Sequence, residues 1–559
     1  MNLFAEYQNK VFKHLKSVEK KEKIILPDTA EDITFELPPK DLKGDMSSNI
    51  AFLMSRANKT SPLGIGKKIV LIIKKKFTEF EKIEIINPGF INFYFRDIYW
   101  AKFLNNLIKM NGKYGINKVS RKRVNIEFVS ANPTGPLHVG HCRGAILGDV
   151  ISNLLEYNGH DVTREYYIND FGKQIENFTL SVYERINEIL FNKNFPINED
   201  LYPGEYIVEI ARAIINSKKI KNFDHYENIK EKIRSFSLKY TMDLIKQDLS
   251  LLGIRHNKFV SEKDLTKKNA VLKTINKLKK KKLIYDGKLS APKGLEKNWK
   301  SRKQLLFKST IFGDDTDRAL TKDDGEWTYF ATDIAYHSNK IDRNYDLVIN
   351  ILGADHTGYV KRLKSAVSAL TNNNIEFKCK ISQLVKLFKL GIPFKMSKRK
   401  GDYITAKDLV NEVGKDATRF MMLNRSNDVE LDFDFEKIKE KTKDNPVYYV
   451  QYAYARINSV FKNAKIDIKN NFQFSKKTQK FNKYEIEIIK KIAEWPKYVK
   501  SSADKLEPHK ITYYLYNLAV LFHAYWNLGK ENNDFKFLDS SNNMKENSLI
   551  ILKSISIVI

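Results

Sequence analysis

Apolar residues recur along the chain with two different spacings, and these spacings predict its elements. The elements predicted for the first hundred residues are helices near 1–15, 47–58 and 64–76 and strands near 33–39 and 91–95. This mixture indicates a small α/β domain at 1–98.

In the middle of the chain, strand-like segments are separated by long helical stretches. Alternation marks 122–130, 328–331 and 346–352, whereas 136–158 and most of 183–304 have helical spacing. Strands that alternate with helices predict a parallel sheet. Beyond Ala406 the spacing is helical nearly to the end, which predicts an all-helical C-terminal domain.

Composition and charge narrow the possible classes of protein. The chain has 559 residues and a net charge of +30, which indicates either a polyanionic partner such as nucleic acid or a compositional bias toward lysine. Cys142 and Cys379 stand alone, so a disulfide framework is excluded and we expect no zinc site. The N-terminus has no signal-peptide pattern and no segment has the ~18 apolar residues of a membrane span. We therefore expect a cytoplasmic protein that does not contact a membrane.

The first candidate site is the segment 131–141, ANPTGPLHVGH, which follows a predicted strand and begins a helix. Ligands of open α/β sheets bind where strands end, and helix N-termini attract phosphate. His138 and His141 are three residues apart, so both project from one side of the first turn and can donate to phosphate oxygens. Gly140 lets a flat base approach the backbone, and we assign it and Pro136 to an ATP site. The alternative, a zinc site, lacks a third ligand at motif spacing.

The second candidate site is a cationic loop formed by Lys395, Met396, Ser397 and Lys398. Such a loop can clamp the phosphates of ATP and neutralise pyrophosphate. Taken alone, the segment is equally compatible with a solvated basic turn. Together with the earlier histidines, however, it resembles the paired signatures of class I aminoacyl-tRNA synthetases. This resemblance implies that the two lysines act with His138 and His141 in catalysis.

Longer strings narrow the resemblance to the arginyl-tRNA synthetase family, across nearly the whole chain. They are 44–52 (GDMSSNIAF), 88–94 (PGFINFY), 166–175 (YYINDFGKQI), 313–337 (GDDTDRALTKDDGEWTYFATDIAYH), 352–360 (LGADHTGYV) and 445–456 (NPVYYVQYAYAR). The implied fold class is α/β: a split Rossmann-type catalytic domain between an N-terminal α/β tRNA-binding domain and an all-helical anticodon-binding domain. The implied boundaries are 1–98 for the N-terminal domain, 120–183 and 304–405 for the catalytic halves, 184–303 for a helical connective insertion, 406–440 for a helical junction and 441–559 for the anticodon domain.

The resemblance also assigns residues to the substrates. The residues implied to bind arginine are Glu127, Asn132, Tyr329, Asp333 and His356. A guanidinium needs carboxylate and carbonyl-type acceptors, which most of them provide. Tyr329 and Asp333 are neighbours only if a helix begins there. The structural alternatives are a helix cap for Asp333 and a core position for Tyr329.

In the C-terminal domain, Tyr449, Tyr452 and Arg456 share a helix face suited to stacking on anticodon bases and pairing with phosphate. Ordinary helix packing is the alternative for the two tyrosines.

The implied reaction has two steps. ATP activates L-arginine to arginyl-adenylate, and the arginyl group then passes to the 3′ end of tRNA(Arg); Mg²⁺ is carried with ATP, and we expect a monomer. We expect adenylate formation to need tRNA, whose binding would bring the two catalytic halves together.

Two alternative functions remain. One is a class I synthetase of another specificity, although a glutamyl pocket needs cations where this chain has Glu127 and Asp333, and a cysteinyl enzyme needs zinc ligands. The other is a catalytically silent RNA-binding paralogue, whose signatures should be damaged. The helical pattern of 184–303 shows no β-rich editing module, which suits arginine because a site that satisfies many donors rejects analogues without editing.

Two segments depart from the family pattern. Asp416-Ala417-Thr418-Arg419 stands where the family has Asp-Ala-Leu-Arg, a change that does not affect the chemistry. The chain ends at Ile559, short of a further apolar segment found in relatives, so it is either truncated or naturally short. We therefore expect its last helix to be poorly packed.

Overall fold

The structure of the chain is a computed structural model. It describes residues 1–39, 41–117, 119–289, 302–322, 324–394, 404–470, 472 and 480–559. The helices are α1 (Leu3–Val18), α2 (Ile50–Ala57), α3 (Pro62–Lys76), α4 (Asp97–Met110), α5 (Val139–Tyr157), α6 (Lys173–Phe191), α7 (Glu205–Asn216), α8 (Tyr226–Leu251), α9 (Glu262–Lys267), α10 (Ala270–Lys280), α11 (Tyr329–Ile341), α12 (Val360–Thr371), α13 (Ala406–Val413), α14 (Lys415–Met422), α15 (Phe435–Lys439), α16 (Pro446–Asn463), α17 (Lys483–Ala493), α18 (Trp495–Lys505), α19 (His509–Glu531) and α20 (Glu546–Val558). The strands are β1 (Phe35–Glu36), β2 (Met46–Ser48), β3 (Phe80–Ile86), β4 (Phe90–Phe95), β5 (Arg123–Glu127), β6 (Asp161–Ile168), β7 (Lys258–Ser261), β8 (Ile284–Gly287), β9 (Gln304–Phe307), β10 (Arg318–Ala319), β11 (Leu347–Gly353), β12 (Glu376–Ser382), β13 (Val385–Lys389), β14 (Ile392–Phe394) and β15 (Leu431–Asp434).

The chain divides into two units, residues 1–119 with 441–559 and residues 120–440. The second unit is built on a parallel sheet with strand order β12-β11-β5-β6-β7. Val124, Ile126 and Phe128 are fully buried, as expected for a central strand covered by helices on both faces. The pairing of β5 with β11 joins residues of the predicted first and second catalytic halves in one sheet.

Two smaller sheets complete this unit. An antiparallel sheet has the order β10-β9-β8, and in the other β13 pairs antiparallel with β14 and parallel with β15. Strand β14 ends immediately before the predicted lysine loop, so this second sheet positions one end of it.

The first unit combines an antiparallel sheet with a group of helices. The sheet has the order β1-β2-β4-β3. The segment after α4 packs against the helices, because the Trp495 indole donates to the Tyr114 carbonyl at 3.1 Å and the Tyr114 hydroxyl donates to the Ile492 carbonyl at 2.9 Å. The predicted α/β and all-helical parts therefore belong to one body.

Several predicted elements were wrong. Residues 328–331 are not a strand: the Thr328 side chain accepts a hydrogen bond from the Ala331 amide at 3.3 Å and caps α11, so local capping outweighs the β-propensity of Thr, Tyr and Phe. The stretch 183–304 is not helical throughout, because β7 and β8 lie in it, and β15 interrupts the helices after Ala406. These strands of four residues are too short for their alternation to be recognised.

The last helix, α20, contradicts the expectation of poor packing. Ile550, Leu552 and Ile555 are buried, and α20 contacts α4, α16 and α17. A helix that is apolar on most of its surface is stable when neighbours cover several of its faces.

The departure at Thr418 is accommodated within the protein interior. Thr418 is fully buried, and its hydroxyl donates to the Gly414 carbonyl at 2.8 Å. Its neighbour Arg419 donates to the Asp149 carboxylate at 2.6 Å.

The six predicted domain boundaries stay a prediction. Among the residues described above, no helix has both the length and the apolar character needed to cross a bilayer.

Candidate active site

The carboxyl edge of the parallel sheet gathers most of the predicted site residues. Glu127 ends β5, Asn132 follows it, and His356 follows β11. Helix α11 runs back along the sheet before β11, so its first turn, with Tyr329 and Asp333, lies at the same edge. The fold therefore brings together residues separated by two hundred positions in sequence.

The turn after β5 is strained. Val129 and Ser130 have φ values of 70° and 39°, in the left-handed region that a β-branched residue rarely adopts. Contacts fix this turn: the Ser130 hydroxyl donates to Glu127 Oε1 at 3.0 Å and accepts from the Tyr167 amide at 3.1 Å. The strain turns the chain sharply from the strand into the loop that leads to His138.

His138 and His141 form a reciprocal cap at the start of α5. His138 Nδ1 accepts from the Gly140 amide at 3.1 Å, and His141 Nδ1 accepts from the His138 amide at 3.3 Å. The rings stack with centroids 3.8 Å apart, which confirms the prediction that both project to one side. Because each Nδ1 is an acceptor, the neutral ring carries its hydrogen on Nε2, and this N–H can donate to an anion.

The position of the His138 ring leaves no room for a side chain at Gly140. A Cβ at Gly140 would lie 2.9 Å from His138 Cε1, closer than real Cβ contacts. An alanine here would push the His138 ring out of its stack. Pro136 lies half-buried in the loop before the cap.

The segment after the lysine loop is bonded directly to this cap. The Val139 amide donates to the Ile404 carbonyl at 3.0 Å, and the Ala406 amide donates to the Leu137 carbonyl at 2.8 Å. Lys395, Met396, Ser397 and Lys398 themselves lie outside the described residues. The far end of their loop is nevertheless fixed beside His138.

Arg143, one turn into α5, binds the small sheet to which β14 belongs. Its guanidinium is buried and donates to the carbonyls of Gln383, Ser426 and Val429 at 2.8–2.9 Å. These carbonyls flank β13 and β15, and β13 is the strand that pairs with β14. Sequence reasoning missed Arg143, because a single arginine in a helix pattern does not reveal its distant partners.

Glu127 and Asn132 are already engaged by protein groups. Glu127 Oε2 accepts from the Lys340 ammonium at 2.5 Å. Asn132 lies in the open and donates to Gln174 at 2.5 Å, while its oxygen accepts from Asn169 at 2.9 Å. Glu127 therefore has a cation of its own, which the predicted role as an acceptor for guanidinium did not foresee.

Tyr329 and Asp333 occupy the first turn of α11, where the predicted neighbour relation holds. Tyr329 is 74% exposed, which excludes the alternative of a core aromatic. Asp333 is half-buried and does not cap the helix, since Thr328 does. The Tyr359 hydroxyl donates to Asp333 Oδ2, and burial raises the pKa of Asp333 to about 7.

His356 is exposed in a 3-10 turn after β11, 3.4 Å from the Asp355 carboxylate. Its ring centroid lies 6.5 Å from that of Tyr359, the partner of Asp333. It therefore stands at the rim of the site, not among the buried acids.

Glu262 is an acid at this edge that sequence reasoning missed. It begins α9 directly after β7 and is buried. Burial, followed by the charges of Asp333 and Asp170, raises the pKa of Glu262 to about 7. An acid placed immediately after a strand is the signal that would have found it, but β7 was interpreted as part of a helical stretch.

The acids at this edge divide into two groups. Asp170 accepts from the Ser261 hydroxyl at 2.6 Å and from the Lys263 amide at 2.9 Å, and Glu127 has Lys340. Asp333 is half-buried and Glu262 is buried, and they lie close enough for the charge of Asp333 to raise the pKa of Glu262. Two carboxylates with raised pKa values at one edge are suited to a ligand that carries a delocalised positive charge.

A second candidate surface lies in the first unit, on α16 and α19. The Arg456 guanidinium is 4.0 Å from the ring centroid of Tyr452, 4.8 Å from that of Trp526 and 2.9 Å from His523 Nδ1. Tyr449 packs on His523 with ring centroids 4.2 Å apart. The three predicted residues thus share one aromatic cluster, to which the structure adds His523 and Trp526.

The parallel α/β sheet with the His138–His141 cap at its carboxyl edge fits the class I aminoacyl-tRNA synthetases. The family model described as "tRNA synthetases class I (R), catalytic domain" matches residues 103–464. The models of the arginyl tRNA synthetase N terminal domain and the DALR anticodon binding domain match 6–95 and 450–559. The chain belongs to the arginyl-tRNA synthetase family.

Named relatives agree with this assignment. The arginine–tRNA ligase of Pelagibacter ubique (strain HTCC1062) is 54% identical over 100% of this chain and 97% of its own length. That of Wolbachia pipientis wMel is 41% identical with the same coverage of both chains. The solved Thermus thermophilus arginyl-tRNA synthetase has a TM-score of 0.73 and 17% identity, over 99% of this chain and 97% of its own, and shows the same fold.

Proposed function

We propose that this protein attaches arginine to tRNA(Arg) in two steps, with ATP as the activating substrate. The observation that carries the proposal is a pair of acids, the half-buried Asp333 and the buried Glu262, at the sheet edge that also carries the His138–His141 cap. The guanidinium of arginine binds between the acids, with the exposed Tyr329 beside it. The α-carboxylate of arginine then faces the phosphates of ATP.

In this proposal the histidines hold the phosphates. His138 and His141 donate through Nε2–H, and Lys395 and Lys398 neutralise the charge that develops on the departing pyrophosphate. Mg²⁺ enters with ATP, bound mainly through phosphate oxygens and water. Asn132 and His356 act at the rim, where they orient the amino acid, and the buried Glu127 lies beside the acids.

The test is aminoacylation of total tRNA with each standard amino acid in turn. Arginine alone should be charged, because Asp333 and Glu262 offer negative charge, while Lys340, the buried cation near them, is already paired with Glu127. Charging of another amino acid would contradict the assigned specificity, and charging of none would favour a silent RNA-binding paralogue. We further propose a cytoplasmic monomer, which sedimentation of the purified protein tests in part.

Arginine binding should depend on pH because of the two acids, Asp333 and Glu262. Below about pH 7, Asp333 and Glu262 gain protons in the free enzyme, and arginine must displace these protons to bind. The KM for arginine should therefore rise as pH falls below 7, by up to about tenfold per pH unit for each proton displaced. Initial rates at pH 6–8 measure this, with the KM for ATP as the internal control. A KM for arginine that is constant over this range would contradict the assignment of these acids.

The aromatic cluster around Arg456 is proposed to bind anticodon bases. Tyr452 is 37% exposed, so a base can stack on the ring that Arg456 already supports. Tyr452→Ala should weaken tRNA binding by about 5- to 100-fold, the effect of losing one stacked base, while the KM values for arginine and ATP stay unchanged.

The matched control is Tyr454→Ala, which removes a similarly exposed tyrosine two residues away on another face of α16. Filter binding with labelled tRNA gives the dissociation constants. Equal affinities for the two variants would argue that Tyr452 only packs against the helix.

A further inference from the structure

Lys340 is a fully buried cation inside a pocket that is proposed to bind a cation. Its side chain is 0% exposed. It lies on α11, two turns after Asp333, and reaches the end of β5. A buried ammonium is costly unless its donors are satisfied, so its position calls for a specific partner arrangement.

The side chains around Lys340 bind its ammonium group. Its ammonium donates to Glu127 Oε2 at 2.5 Å and to Asn350 Oδ1 at 3.1 Å, and it lies 4.5 Å from the ring centroid of Tyr336. Glu127 and Asn350 are direct partners in the pairing of β5 with β11. One lysine from the helix thus binds both strands at the point where they enter the pocket.

The same network continues to the guanidinium site. The Asn350 amide bonds His337 Nε2 at 2.9 Å, and His337 Nδ1 donates to the Asp333 carbonyl at 2.8 Å. Glu127 and Asp333 are near enough for each charge to act on the other. A displacement of Glu127 would therefore alter the space and the charge that Asp333 offers to arginine.

We propose that Lys340 is a positioning residue for amino-acid recognition, which holds the Glu127 carboxylate in one orientation and leaves Asp333 and Glu262 to receive the guanidinium. This inference rests on the proposed function. It makes a prediction opposite to that of simple charge repulsion. If Lys340 only repelled the cationic substrate, its removal would improve arginine binding; if it positions Glu127, its removal weakens binding.

Lys340→Met keeps the length of the side chain and removes its charge. We expect the KM for arginine to rise by about 30-fold or more, the effect of breaking a buried charge pair, with the KM for ATP within twofold of wild type. Lys340→Gln, which retains a donor, should give an intermediate KM. A KM for arginine that is unchanged or lower in folded Lys340→Met, or an equal rise for ATP, would overturn the proposal.

The decisive measurement is a double-mutant cycle with Glu127→Gln. If Lys340 acts through Glu127, the KM for arginine of Lys340→Met/Glu127→Gln should equal that of Glu127→Gln alone, whereas additive effects would refute the positioning role. The double variant also removes both buried charges, so it keeps the test available if Lys340→Met does not fold.

Lys490→Met is the matched control for loss of a largely buried lysine ion pair. Lys490 lies on α17 in the other unit, where its ammonium pairs with Asp45 at 3.3 Å and donates to the Gly44 carbonyl at 2.9 Å. Lys490→Met should lower the melting temperature without a selective rise in the KM for arginine, and a selective rise of the same size would contradict the special role of Lys340. Failure of the wild-type protein to charge arginine would instead remove the proposed function itself.

Discussion

Asp333→Asn should raise the KM for arginine by about 30-fold or more and lower turnover. The variant keeps the shape of the side chain and removes one of the two charges that face the guanidinium. A broken charge-assisted pair in a buried site costs roughly 2–5 kcal/mol. Burial raises the pKa of Asp333, so loss of its charge should not destabilise the fold, and the effect should appear in arginine binding. Steady-state charging with varied arginine measures it.

The matched control is Asp342→Asn on the same stretch of chain. Asp342 follows α11, is exposed and pairs with Lys277 at 3.0 Å, so its loss should leave the KM for arginine unchanged. Glu262→Gln should behave like Asp333→Asn, since the two acids share the ligand. Normal arginine kinetics in Asp333→Asn would show that the guanidinium binds elsewhere.

The sequence predicted those site residues that belong to contiguous strings. His138 and His141 stand in one short segment, and the helix-start relation of Tyr329 and Asp333 follows from their spacing once a helix is assumed. Thr328 obscured that helix, because its β-branched side chain favours a strand in isolation and caps a helix in context.

The residues that escaped prediction act through long-range partners. Lys340 occupies a helix position that charge patterning assigns to a solvated surface, and its partner Glu127 is 213 residues away. Arg143 binds carbonyls 240 to 286 residues distant. Glu262 depends on β7, a strand of four residues that pairs only at the edge of the sheet. Such contacts are set by tertiary packing, which has no local sequence pattern.

The expected role of tRNA in activation needs one correction. Binding of tRNA was expected to bring the catalytic halves together, but β5 and β11 already pair from Val124 to Glu127 and from Leu347 to Asn350. This pairing holds the two catalytic halves in one sheet. If adenylate formation depends on tRNA, then tRNA must act on another part of the site. The remaining catalytic element is the lysine loop between β14 and Thr405.

Arginine-dependent exchange of labelled pyrophosphate into ATP should accordingly stay near background without tRNA and rise strongly when tRNA(Arg) is added. The residue Ile404, which follows the lysine loop, accepts a hydrogen bond from the Val139 amide beside His138, while Lys395 and Lys398 carry charges that a bound polyanion can organise. The chain runs on from this loop through α13–α15 to the helices that carry Tyr452 and Arg456, so anticodon binding has a covalent route to it. A tRNA with an intact 3′ end and an altered anticodon should therefore restore little exchange. Full exchange by enzyme freed of RNA would disprove this dependence on tRNA, and it would leave the arginine pocket and its tests untouched.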